Sequence, residues 1–393
     1  MRRVAPVLAL LLTLAPVAAC GPDDPPRNAN RAAKPAPAGG TATGTSSPTA
    51  APRPDGVITV AFAGDVHFEG RTENRLAVAA PEHALGQISQ TLSDADLAVL
   101  NLETAITGRG APESKLYTFR TSPKALEALK DSGVDVVSLA NNHAVDFGAD
   151  GLADTLAAKE ASPIAVVGLG RNAKEAYAPY LTTIRGVKVA VVAASQVEDL
   201  TNQKWRAGAS KPGIASALDV PALLKAVEQA KKQAPVVIVY LHWGDEGKSC
   251  PTTAQTSIAK KLATAGATAV VGTHAHTMLG SGMLGSTYVG YGFGNFLWYG
   301  TSDYPFSDET GVTTLTLTAA GKVTGESFTP ALVDGTGVPQ PQSGVAASAA
   351  LKRRDALRGC TGLAPAPGDG SPGAPAASSG ATTGATATPA GSP

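Results

Sequence analysis

Five of the six histidines in this sequence stand where an apolar run ends, four of them close to a carboxylate, an amide or another histidine. His67 closes Ala63-Gly64-Asp65-Val66-His67, and His143 closes Ala140-Asn141-Asn142-His143. His242 opens His242-Trp243-Gly244, while His274 and His276 alternate in Gly272-Thr273-His274-Ala275-His276. Glu103 joins them at the end of Asn101-Leu102-Glu103. Alternate residues leaving a strand point to the same side, so Asp-x-His and His-x-His can each aim two donors at one place. A lone histidine after a strand is ordinarily a hydrogen-bonded structural residue, and Asp65 on its own would read as a turn cap. The set Asp65, His67, Glu103, Asn142, His242, His274 and His276 reads differently, because only His83 stands away from such a motif. Imidazoles, carboxylates and an amide oxygen together suit Zn, Mn or Fe rather than Ca or Mg alone. This set exceeds the needs of one tetrahedral ion, which makes a pair of ions about 3.5 Å apart the natural reading.

Such a convergence needs strands that end on one rim. Val57 to Ala63, Asp96 to Leu102, Val134 to Ala140, Ile164 to Val167, Pro235 to Leu241 and Thr268 to Val271 are apolar runs of strand type. Between them the spacing predicts helices over Pro81 to Ala95, Pro123 to Ser132, Gly151 to Ala161, Val220 to Lys232 and Thr253 to Ala265. Tyr180 to Ile184 and Val187 to Ala194 read as a hairpin turning at Arg185-Gly186. Beyond Val271 the pattern turns antiparallel, with strands at Thr287 to Tyr291, Thr313 to Thr318 and Val323 to Leu332. Buried runs alternating with amphipathic helices imply a layered α/β fold closed by hairpins. In open sheets of this kind ligands bind beyond the carboxyl ends of the strands. Val312 to Arg358 carries no motif to which a function attaches.

The chain has 393 residues with 32 basic and 32 acidic side chains, a balance that gives nucleic acid no electrostatic foothold. Arg2 and Arg3 precede an apolar run from Val4 to Leu14, followed by Val17-Ala18-Ala19-Cys20. That is the pattern of a secretory signal peptide, too short and too broken by Pro6 and Pro16 for a membrane span. The small residues before Cys20 resemble a bacterial lipobox, in which Cys20 becomes the lipid-bearing first residue; a secreted protein with a chance cysteine is the alternative. The expected organisation is a leader over 1–20, a flexible tether over 21–55, a folded domain over 56–362 and a low-complexity tail over 363–393. The protein is then expected outside the cytoplasm, held to the bacterial membrane by its lipid. Cys250 and Cys360, an even pair in an oxidising compartment, are expected to form a disulfide, two unrelated thiols being the alternative.

The order of motifs resembles the calcineurin-like metallophosphoesterases and, more closely, the CapA family, named for poly-γ-glutamate capsule synthesis. The likeness rests on Gly64-Asp65, Asn101-Leu102-Glu103, Phe119-Arg120 before Ser122-Pro123, and Ala140-Asn141-Asn142-His143 with Asp146 and Gly148. It continues through His242-Trp243-Gly244 with Glu246, Gly272-x-His274-x-His276 and Gly294-Asn295-Phe296. The resemblance implies a single-domain, metallophosphatase-like four-layer α/β/β/α sandwich. It also implies that Asp65, His67 and His276 hold one metal and that Asn142, His242 and His274 hold the second. Glu103 takes the place of the bridging carboxylate, usually Asp in phosphoesterases. His143, beside a ligand, is implied as proton donor or stabiliser of transition-state charge. Asp146 reads as the acceptor that orients His143, or as a loop cap. Arg120 reads as a clamp on an anionic substrate, or as an ion-pair partner within the fold. Glu246 is a pattern residue without a fixed task, and Trp243 reads as packing.

Three functions stay open at this point. One is a two-metal hydrolase attacking a phosphoester or an amide-like centre at the cell envelope. The second is a non-hydrolytic component of poly-γ-glutamate synthesis or export, working with capsule-synthesis partners. The third is a metal-dependent peptide-modifying enzyme. A complete ligand set favours chemistry, on an anionic polymer or a peptide, over a binding relic.

Overall fold

The computed structural model describes residues 55–80, 82–298 and 304–368. One sheet runs, edge to edge, through Pro339–Pro341, Val323–Val333, Glu309–Thr318, Val57–Val66, Leu97–Leu102, Val136–Ser138 and Ala165–Val167. Its last four strands are parallel, Glu309–Thr318 returns antiparallel to Val57–Val66, and Asn295–Leu297 adds to the far end of Val57–Val66. The other large sheet runs Ser281–Leu284, Thr287–Gly290, Ala269–His274, Val236–Trp243, Val187–Ser195 and Tyr180–Ile184, parallel inside and antiparallel at both edges.

Residue alternation explains how the two sheets stack. In Val57–Val66, Ile58, Val60 and Phe62 face Val189, Val191, Val236, Ile238 and Tyr240 of the second sheet across the central core. The intervening Ala61 and Ala63 face the other way, into a core shared with Leu92, Leu126, Leu129, Leu152 and Leu156. Those leucines come from the helices Ser89–Ser93, Lys124–Asp131 and Gly148–Glu160. On the opposite side, Val237, Val239 and Val270 pack under Leu223, Val227, Ile258 and Leu262 of Val220–Gln233 and Thr253–Thr264. Strands apolar on both faces require cover on both faces, and the outcome is the four-layer α/β/β/α order. Local chemistry starts the helices: Asp219 caps Val220–Gln233, and Thr252 with Gln255 forms a reciprocal capping box on Thr253–Thr264. The Tyr180–Ile184 and Val187–Ser195 hairpin turns at Arg185-Gly186, both at positive φ.

Four expectations change. The stretch expected as a helix over Pro81 to Ala95 is helical only as a 3₁₀ turn at Gly86–Ile88 and the short Ser89–Ser93, since His83 and Gly86 take positive φ and break the path; Pro81 itself lies outside the described residues. Thr287–Gly290 is parallel, not antiparallel, to Ala269–His274, because the interposed strand Ser281–Leu284 reverses the chain first. The packed region continues past 362: Leu363 and Ala366 are buried, and Ala364 bridges Met283. Finally, a helix not expected from sequence spans Gly344–Leu357. It is tied down by Arg354, which is 5% exposed, pairs with Glu326 and lies over the Phe328 ring.

Cys250 and Cys360 are joined, with Cα atoms 5.8 Å apart, so the loop after the His242 strand is stitched to the C-terminal segment. No helix of the described residues is long and apolar enough to cross a membrane. The leader, Cys20, most of the tether and the tail from 369 onward lie outside the described residues.

Candidate metal centre

Parallel pairing places the chemistry-bearing residues on one rim. Asp65 lies in register with Asn101 on one side and Asn295 on the other. Glu103 follows directly on Leu97–Leu102, and Asn142 and His143 occupy the loop after Val136–Ser138. In the second sheet His242 pairs with Thr273 and Trp243 with His274, so both strands deliver a histidine at the same level. Close approach is possible because of two glycines. A Cβ on Gly64 would sit 2.0 Å from the Gly294 carbonyl, to whose oxygen Asp65 N–H donates (2.9 Å). A Cβ on Gly272 would strike the Trp243 indole at 2.1 Å, and that indole, fully buried, donates to the Tyr291 carbonyl. Trp243 is therefore packing.

Ligand atoms gather in three overlapping groups, each within 4.8 Å: Glu103, His242 and His274; Asp65, Glu103 and His276; Glu246, His274 and His276. Glu103 is common to the first two and so stands between them. Asn142 belongs beside the first group, its Oδ1 2.7 Å from His242 Nε2. Glu103 is fully buried, yet neither of its oxygens receives a hydrogen bond among the described residues; His274 Nδ1 is in the same condition. His242 Nε2 lies 3.3 Å from Glu103 Oε1, but a buried carboxylate that accepts no hydrogen bond is costly, and a divalent metal ion is a partner that this mixture of imidazole, carboxylate and amide oxygen fits. The backbone is also held off its usual path here: His274 and His276 have φ of 92° and 54°. Bulky residues adopt such values when the surroundings over-determine them, and His274 N–H is bound by Asp65 Oδ2 at 3.1 Å.

The charges follow from burial. Burial, reinforced by the neighbouring Glu103 and partly offset by His242 and His276, pushes the Asp65 carboxyl up to about 6. Burial likewise pushes Glu103 up to about 7. It lowers His242 to about 4 and holds His67, His143 and His274 well below the usual imidazole range. His276 is the exception. Burial opposes its charge, but the Glu103, Asp65 and Glu246 carboxylates and an Asn295 hydrogen bond together raise it. Neutral imidazoles beside carboxylates that ionise near neutrality are the protonation states that metal ligands require.

The remaining residues divide clearly. His143 Nδ1 donates to Asp146 Oδ2 (2.5 Å), its ring stacks on Phe119, and its Nε2 lies 3.9 Å from Glu103. Asp146 is fixed in turn by Phe119 N–H (2.8 Å) and by Lys115 Nζ (2.7 Å). His67 is not in any of the three groups: it lies between Phe119 and Trp298, and its Nδ1 accepts from Glu69 N–H. A neutral ring accepting at Nδ1 carries hydrogen on Nε2. Arg120 is exposed and its guanidinium lies over the Phe147 ring. Glu246, without a task from sequence, brings its carboxylate to His274 and His276.

Residues that sequence reading passed over complete the support. Asn101 Nδ2 donates to Asp65 Oδ1 (2.8 Å), and Thr273 Oγ1 meets His242 Nδ1 at 3.0 Å. Asn295 Oδ1 meets His276 Nδ1 at 2.9 Å, while its Nδ2 donates to the His276 and Ser307 carbonyls. That amide orientation puts hydrogen on His276 Nδ1 and leaves Nε2 as the ligating atom. Asn101 and Asn295 lie inside motifs already singled out, which was their signal. Lys115 had none.

Residues 59–299 match the family described as bacterial capsule synthesis protein PGA_cap. The PGA biosynthesis protein CapA of Bacillus subtilis (strain 168) is 26% identical over 246 residues, covering 62% of this chain and 64% of that protein. The capsule biosynthesis protein CapA of Bacillus anthracis is 27% identical over 262 residues, covering 63% and 62%. The chain thus spans less than two thirds of the length of these curated relatives. Among solved structures, a novel phosphatase from Mycoplasma pneumoniae aligns with a TM-score of 0.45 at 15% identity, over 71% of this chain and 94% of that one. A likeness of that size carries no argument about chemistry. The family match spans more than half of the sequence and every residue of the three ligand groups, and the chain belongs to the bacterial capsule synthesis protein family PGA_cap.

Proposed function

We propose that this chain is a metal-dependent hydrolase of the cell envelope, working with two divalent transition ions and serving capsule or poly-γ-glutamate metabolism. The observation that carries the reading is Glu103: a fully buried carboxylate that accepts no hydrogen bond among the described residues, standing where two ligand groups meet. Asp65 and His276 would share one ion with Glu103, and Asn142, His242 and His274 would share the other. When bound, such a pair supplies Lewis acidity and an activated water. His143 handles the proton. With Nδ1–H committed to Asp146, it takes a proton at Nε2 and returns it to the leaving group. Asp146, braced by Lys115 and Phe119 N–H, keeps that ring in the correct tautomer.

A non-hydrolytic role in polymer synthesis draws its support from the names of the relatives. Glu198, Asp245 and Glu246 line the adjoining groove, without a Lys or Arg among its lining residues. Elemental analysis of the purified chain, beside a His242→Ala, His274→Ala double variant, tests the centre. Two equivalents lost in the variant support it, and unchanged stoichiometry ends the assignment. Turnover is then sought with phosphoesters, γ-glutamyl peptides and poly-γ-glutamate. Export and lipid attachment are part of the same proposal; a Cys20→Ser variant that stays in the membrane fraction would remove the anchor.

A further inference from the structure

We propose that Glu246, His274 and His276 form a loading station at the mouth of the metal centre, where an incoming divalent cation is caught before transfer to the buried positions. This rests on the two-ion reading above. One carboxylate oxygen and one nitrogen from each histidine lie within 4.8 Å of one another, compact enough to share an ion. The group also spans a gradient of burial. Glu246 is exposed, His274 and His276 are 5% and 8% exposed, and Asp65 and Glu103 are fully buried.

Both histidines recur in the inner groups, His274 with Glu103 and His242, His276 with Asp65 and Glu103. Glu246 can therefore hand over to Glu103 while an imidazole keeps its hold. Exchange of one ligand at a time avoids carrying an unpaired charge into a dry interior, which is prohibitively costly. His276 makes the stations alternate. Its Nδ1–H is bound to Asn295, so a single lone pair on Nε2 serves one ion at a time. Glu246 is itself steadied by the Tyr304 hydroxyl, 2.6 Å from Oε2. The groove of about 440 Å³ outside carries Glu198 and Asp245 as well. A cleft lined by one sign of charge concentrates ions of the other sign.

The test is uptake of Co²⁺ by the full chain after treatment with a chelator, followed in stopped flow by the visible absorbance of bound cobalt. Glu246 is exposed, so Glu246→Gln leaves the packing intact. The variant is expected to take up Co²⁺ about 10-fold more slowly, with steering of this kind as the source of the rate. It is expected to release the ion more slowly by the same factor and to reach the wild-type stoichiometry. A loading step lowers both rates together and leaves the equilibrium alone. Equal uptake rates would overturn the proposal, and so would a lost equivalent at an unchanged uptake rate, which would make Glu246 a resident ligand. Wild-type chain that takes up no cobalt would remove the metal centre itself.

Discussion

Replacing Glu103 by Gln separates what the buried carboxylate costs the fold from what it gives the metal. In the chelator-treated chain, burial pushes this carboxyl from 4.5 up to about 7. At about 1.4 kcal/mol for each pH unit, the ionised form costs the fold on the order of 3 kcal/mol. The folded chain holds the proton more tightly than the unfolded chain does. The contribution of this group to stability is therefore highest below pH 4.5, declines as pH rises, and levels off above about 7. Asp65, raised to about 6 by burial and then by Glu103, contributes a decline of the same sign. In Glu103→Gln the first component vanishes and the second shrinks, whereas any packing cost of the buried amide does not vary with pH. Between pH 4.5 and 8 in chelator, the unfolding free energy obtained from urea titrations should change by about 3 kcal/mol in favour of the variant relative to wild type. With a transition ion at a hundred times its dissociation constant the order reverses: wild type gains about 2.7 kcal/mol and the variant does not. Parallel pH profiles, or full metal stabilisation of the variant, would refute the reasoning.

His143→Ala should keep the metal and reduce turnover by about 10²- to 10⁴-fold; metal loss in that variant would move His143 among the ligands. Asn295→Ala frees the His276 ring and should weaken metal binding by about 10- to 100-fold, so an unchanged dissociation constant in a competitive chelator titration would contradict its role. Removing the Cys250–Cys360 link with paired alanines should lower unfolding stability by about 2–4 kcal/mol, because the bond closes a loop of 110 positions. Equal denaturation midpoints would show that the link adds nothing.

Much of the centre could be read before any coordinates, because its signal is local. His274 and His276 alternate at a strand end, Asp65 follows an apolar run through Gly64, and Asn142 and His143 sit after another. Period-two alternation and the type of each side chain are enough to place such residues on a common rim. A layered α/β fold followed from the same logic, since Val57–Val66 and Val236–Trp243 are apolar on both faces and must be covered on both; the four-layer order was what the family resemblance implied. Expectations failed where the deciding contact is remote. Nothing near Gly344–Leu357 announces that Arg354 will be buried against Glu326, and nothing in Pro81 to Ala95 announces the positive φ of His83 and Gly86.

The division between sequence and tertiary structure is sharpest among the candidate ligands themselves. Residue types and spacing determined which groups could bind a metal. Only the packed fold decided that His67 turns its Nδ1 to Glu69 N–H, that His276 keeps Nε2 free through Asn295, and that Glu246 joins the histidines from the solvent side. A lone pair has a direction and a buried charge has a desolvation cost. Both are set by neighbours that the chain brings from far away, as Asp65 and His274 are brought together across 209 positions.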